Sequence, residues 1–128
     1  MKIFYKYENG FRSCTLYMEK IIQAPLINLL AIFAEAQLFR NWVPMCRRSE
    51  IIKSHSHFRK AADFEFYLPW PLANRAFRMQ ANGIALPDEN GAILTMSSIE
   101  QDSWLGETLD ARPNNLVFAD LNRGAFMI

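Results

Sequence analysis

Apolar and polar residues alternate with a period of two along most of this chain, the spacing that sends successive side chains to opposite faces of a strand. Ala62, Phe64, Phe66 and Leu68 fall on one side of such a run, and Asp63, Glu65 and Tyr67 on the other. Phe77, Met79 and Ala81 alternate in the same way with Arg78 and Gln80, and Leu94, Met96 and Ser98 with Ile93 and Thr95. Strands are accordingly predicted over 3–7, 12–22, 50–58, 62–68, 77–86, 92–100, 116–121 and 124–128. Asn9-Gly10 and Asn90-Gly91 mark hairpins, because the tight turns that suit strand twist need positive φ at both central residues. One stretch departs from the period of two. Leu26, Leu29, Leu30, Phe33 and Ala34 recur at helical spacing behind Pro25, a residue suited to a first helical turn. That helix is predicted to end near Arg40-Asn41, ahead of Trp42-Val43-Pro44, and the polar stretch 101–115 reads as a connection. The order of elements predicts an α+β fold: a curved antiparallel sheet with an early helix packed at one end, in one domain over 1–128.

The segment between two of these strands has chemistry of its own. Pro69-Trp70-Pro71-Leu72-Ala73-Asn74-Arg75 cannot continue a sheet ladder, since each proline lacks the amide donor and fixes its own φ. It leaves the sheet as a stiff loop with Trp70 at or near its tip. Either the indole folds back over the sheet edge, or it reaches a membrane surface, where a side chain with one apolar and one wet end is favoured.

Composition narrows the function classes. With 14 Lys and Arg against 13 Asp and Glu the net charge is +1, so no basic footprint argues for nucleic acid. Hydrophobic residues at 51% and charged residues at 21% describe a folding chain and not a disordered one. Cys14 and Cys46 lack metal or redox spacing and read as free thiols in a reducing compartment. The N-terminus carries charges where a signal peptide needs an apolar run, and no apolar run reaches the ~18 residues of a membrane span. A soluble, cytoplasmic protein is expected. No phosphate-binding glycine loop, dinucleotide fingerprint or nucleophile elbow occurs, so no cofactor is expected. His55 and His57 stand two apart on a predicted strand without a third ligand, and read as surface residues with no metal. Asp102, Glu107 and Asp110 read as a solvated acidic loop.

Four stretches together carry a family resemblance. Pro69–Arg75 resembles the P-(W/F)-P-L-(S/A)-N-R signature of START domains, the steroidogenic-acute-regulatory-protein-related lipid transfer modules. Met18-Glu19-Lys20-Ile21-Ile22-Gln23-Ala24-Pro25-Leu26 resembles the strand, acidic residue and Ala-Pro that lead into the family's helix. Leu38-Phe39-Arg40-Asn41-Trp42-Val43-Pro44 resembles the end of that helix, and Arg123-Gly124-Ala125-Phe126-Met127 a late strand. The resemblance implies a helix-grip fold in which an antiparallel sheet wraps a C-terminal helix around a lipid cavity. Ile128 ends the chain where the family continues into a last strand and that helix, so the resemblance implies a partial domain without its C-terminal helix.

By the resemblance, the apolar face of Phe64, Phe66, Phe77, Met79, Ala81, Leu94 and Met96 becomes a cavity wall, and flexible Met79 and Met96 suit an adaptable pocket. The same pattern also describes a half-buried sheet packing its core. Ala62 and Ala81 stand where many relatives place a polar pair, which favours a neutral lipid or fatty chain over a charged headgroup. Trp70 matches the tryptophan through which ceramide-transferring relatives touch membranes. Pro69, Pro71, Asn74 and Arg75 are read as structural, an arginine fork being suited to pinning such a loop. The implied partners are a lipid and, transiently, a membrane surface, with oligomeric state left open. Two alternatives remain: a non-catalytic interaction module with an open sheet face, or a cyclase-like helix-grip enzyme drawing on Asp63 or Glu65.

Overall fold

A computed structural model describes residues 1–8, 10 and 13–128 of the chain. Its first two strands, β1 (Lys2–Glu8) and β2 (Ser13–Glu19), pair antiparallel with Tyr5 opposite Leu16. The Asn9-Gly10 turn and the start of the second strand at Arg12 fall on or beside Asn9, Phe11 and Arg12, which lie outside the described residues. These two strands form a sheet of their own, with Phe4, Tyr5, Leu16 and Tyr17 all exposed. The expected single sheet is therefore divided, and the second strand stops at Glu19, short of Ile22.

Helix α1 (Leu26–Ala34) begins directly after Pro25, as its apolar spacing predicts. It ends earlier than expected. The chain breaks at Glu35 and resumes as a 3₁₀ segment, Ala36–Asn41. The buried hydroxyl of Ser49 fixes this segment, donating to the Gln37 carbonyl at 2.9 Å and accepting from the Arg40 amide at 3.1 Å. A hydroxyl that serves both ways satisfies two backbone groups that a tight helical end would otherwise leave open.

The main sheet contains β3 (Cys46–Ser56), β4 (Arg59–Phe66), β5 (Arg75–Leu86), β6 (Gly91–Ser98), β9 (Val117–Phe118) and β10 (Gly124–Met127). Its order is β10-β6-β5-β4-β3, antiparallel throughout, with Phe64 opposite Phe77 and Ala81 opposite Met96. β9 runs parallel to β5 at Arg75 and Ala76, the stretch of β5 that β6 leaves unpaired because its register begins at Met79. Only two residues of the strand predicted over 116–121 belong to it. Three irregularities interrupt the register of β3, the kind of insertion that bends a strand. Gly83 permits one close approach: a Cβ there would stand 2.8 Å from Cβ of Phe58, in the turn that joins β3 to β4.

Both faces of the sheet are covered, each by a thin layer. Adjacent Ala61 and Ala62 point to opposite sides. Ala62 joins Cys46, Phe64, Phe39 and Met79 beneath the 3₁₀ segment, whereas Ala61 joins Ile99, Trp104 and Leu109. The second layer comes from the connection, whose Asp102, Glu107 and Asp110 are exposed as expected while its Trp104 and Leu109 are buried. The stretch 101–115 contains a small hairpin, β7 (Ser103–Trp104) with β8 (Glu107–Thr108), which lays Trp104 on the sheet. Gln80, placed by parity on the polar face, accepts a hydrogen bond from Trp104 Nε1 at 2.9 Å and donates to Ser97 Oγ at 3.1 Å.

Arg78 is the electrostatic centre of that layer, with 2% of its surface exposed. Its fork donates to both Asp63 oxygens at 2.9 and 2.8 Å and to the Asp110 carbonyl at 2.6 Å, with an Asp102 oxygen 3.7 Å away. Hydrogen bonding to Asp63 strengthens the guanidinium's hold on its proton. Glu107 meets Lys53 at 2.7 Å at the surface. The Asp110 carbonyl and the Asp102 and Glu107 carboxylates thus help Trp104 tie the connection to the sheet.

Candidate functional site

The apolar faces of β4, β5 and β6 meet the end of α1 and the 3₁₀ segment around a pocket. Period-two alternation brings Ala62, Phe64, Met79, Ala81, Leu94 and Met96 to its floor. Phe33, Ala34, Ala36 and Phe39 cover it from the helical side. The rings hold this cover in place: Phe33 stacks on Phe126 of β10 with centroids 4.8 Å apart, and Phe39 lies 5.5 Å from Phe64 and 5.1 Å from Trp42. The cavity volume is about 50 Å³. Pockets for drug-sized ligands run to roughly 300–1,000 Å³, so the cover lies close against the floor.

Of the residues read from the sequence as a cavity wall, Phe64, Met79, Ala81, Leu94 and Met96 line this pocket. Phe66 and Phe77 do not. They lie on the same face, one step nearer the proline loop, and pack edge to face at 5.8 Å. Parity alone assigns the face but not where along the strands the cover sits, and the 3₁₀ segment that sets this was read as helix.

Two polar lining residues were not anticipated. Lys60 Nζ donates to the Ala34 carbonyl at 2.7 Å, so its ammonium sits at the negative end of α1. His57, expected on an outer strand face, belongs instead to the turn after β3 and lines the pocket beside Phe58, with ring centroids 4.8 Å apart. Lys60 precedes the clear alternation of 62–68, yet it shares the parity of Ala62 and Phe64, and that was the available signal. His55 stays in β3, and no cluster able to hold a metal occurs among the described residues. Asp63 and Glu65 point away from the pocket. Asp63 is engaged by Arg78, and Glu65 accepts from Asn74 Nδ2 at 3.0 Å, with Arg47 3.7 Å away. Cys46 is buried, which pushes its thiol pKa up and disfavours the thiolate; Cys14 is exposed, and both are free.

The proline loop departs from the end of β4. Trp70 is 90% exposed, so the indole does not fold back over the sheet edge. Pro69 accepts the Leu72 amide at 3.0 Å, and the Trp70-Pro71 peptide bond is cis. Asn74 is the staple: its Oδ1 accepts the Leu68 amide at 3.4 Å while its amide reaches Glu65. Arg75 donates to the Ala73 carbonyl at 2.7 Å. A second segment joins the loop where the Tyr67 amide donates to the Met45 carbonyl at 2.8 Å. Trp42, Met45, Tyr67, Trp70 and Leu72 are all exposed on these joined segments, a concentration of large apolar groups at one end of the sheet. No helix among the described residues is long and apolar enough to cross a membrane.

No family model matches the sequence, and no curated protein matches it. A solved structure does match: the STAR-related lipid transfer protein (fragment 25-204) from Xanthomonas axonopodis superimposes with a TM-score of 0.66 at 18% identity, over 83% of this chain. The chain spans 55% of that protein's chain, about half its length. A large antiparallel sheet, a covering helix and this superposition agree, and the chain has a START-like helix-grip fold.

Proposed function

We propose that this chain binds a hydrophobic lipid between the sheet floor and the cover of α1 and the 3₁₀ segment, and that it exchanges this lipid at membrane surfaces as a cytoplasmic carrier. The observation that carries the reading is the pocket itself: almost wholly apolar side chains converge there, in a fold shared with a lipid transfer protein. Such binding requires no covalent chemistry. Each methylene moved from water into the pocket contributes about 0.8 kcal/mol, so a short acyl chain suffices for useful affinity. The small volume implies that the cover lifts as the chain enters. Phe33 on Phe126 and Lys60 on Ala34 are the contacts that would part. Organic extraction of the purified chain is expected to release a lipid at close to one per chain; a chain that carries none and takes none up from vesicles contradicts the proposal.

Trp70 and its exposed neighbours would meet the bilayer. Immersing about half of an indole that buries roughly 150–250 Å² gives about 2 kcal/mol, or roughly thirtyfold in partitioning. Trp70→Ala is therefore expected to weaken co-sedimentation with liposomes by about that factor while leaving the circular dichroism spectrum unchanged. Unchanged sedimentation, or a mutant that no longer folds, counts against a membrane-contact role.

A further inference from the structure

We infer that the pocket selects a single-chain lipid with an ionised acidic head, the carboxylate of a fatty acid being the simplest case, and that Lys60 receives that head. The inference rests on the lipid-binding reading above and specifies its ligand. Lys60 is the observation behind it. Its ammonium lies in the wall of an apolar pocket, and its only hydrogen bond among the described residues is to a neutral acceptor, the Ala34 carbonyl. No carboxylate forms an ion pair with it among the described residues, and Glu35, next to Ala34 in the chain, is exposed and does not reach it. The other carboxylates near the pocket strands are already engaged on the far face, Asp63 by Arg78 and Glu65 by Asn74. An ammonium has three donors and no acceptor, so two remain available here.

A cation beside apolar surface without a counter-charge attracts an anion more strongly than the same cation in water does. An ammonium-to-carboxylate hydrogen bond is also about twice as strong as a neutral one. His57 lines the same pocket and supplies a second nitrogen-bearing side chain. Size points the same way. A cavity of about 50 Å³ accommodates one narrow chain after modest opening far more readily than a rigid fused-ring sterol or a two-chain lipid. The neutral lipid or fatty chain expected from Ala62 and Ala81 follows from those two residues alone. The charge enters one step further along β4.

The test offers the delipidated full chain dodecanoic acid and methyl dodecanoate at equal concentration, at neutral pH, and reads the bound ratio by native mass spectrometry. The wild type is expected to favour the acid by about tenfold. Lys60→Met should bring the ratio to about one while the ester still binds, and Lys60→Arg should retain the preference. Equal binding of acid and ester by the wild type overturns the inference and leaves the lipid-binding reading intact. A preference that persists in Lys60→Met overturns the role of Lys60. Binding of neither compound overturns both the inference and the reading beneath it. The wild-type comparison stands on its own if Lys60→Met, having lost the contact that closes α1, fails to fold.

Discussion

Arg78→Met is expected to cost about 3–5 kcal/mol of folding stability, the usual result of removing one member of a buried ion pair. Total stabilities of small domains are about 5–15 kcal/mol, so the variant should lose a large share of its margin against unfolding. Asp63 would keep its carboxylate in a site where Arg78 alone supplies two hydrogen bonds, and the Asp110 carbonyl would lose its donor. The connection 101–115 would then have lost a principal tie to the sheet, leaving mainly Trp104 and Leu109 to hold it. Urea unfolding measures the effect. The double variant Arg78→Met, Asp63→Leu should recover part of the loss, because it removes the stranded charge as well. A single variant within about 1 kcal/mol of wild type would show that the pair is not the anchor described.

How much of this was legible in the chain differs from element to element. The strands at 62–68 and 77–86 were readable because one face of each is consistently apolar, and that periodicity directly reflects burial. The proline loop was readable because two prolines exclude a ladder. The layer on the opposite face was not. Asp63, Arg78 and Gln80 have the composition of a solvated face, and only the tertiary placement of Trp104 and Asp110 reveals that they are covered. The connection 101–115 hid its packing for the same reason: its apolar residues are too sparse to show a period, yet Trp104 and Leu109 are buried while Leu105 is exposed. In the site, parity found the floor but not the cover. Glu35 broke the helix where the apolar pattern continued, and the 3₁₀ segment then brought Phe39 rather than a longer helix over Phe64. Lys60 was missed because a lone lysine at the start of a strand reads as surface, and its contact with Ala34 joins residues distant in sequence.

Ala81→Trp is expected to abolish lipid binding outright. Ala81 lies in the pocket floor on a central strand, opposite Met96. An indole there would occupy the small cavity with its own roughly 150–250 Å² of apolar surface. Tryptophan is well tolerated in strands, so the sheet should persist, while a ring larger than the cavity should cost about 1–3 kcal/mol as the cover shifts to admit it. The most direct measurement is native mass spectrometry of the wild type and Ala81→Trp, each purified in the same way and then exposed to the same vesicles. The account predicts one lipid per chain on the wild type and none on the variant, with both folded. Equal loading of the two would place the lipid elsewhere on the molecule, and two empty chains would contradict a lipid-binding role for the pocket altogether.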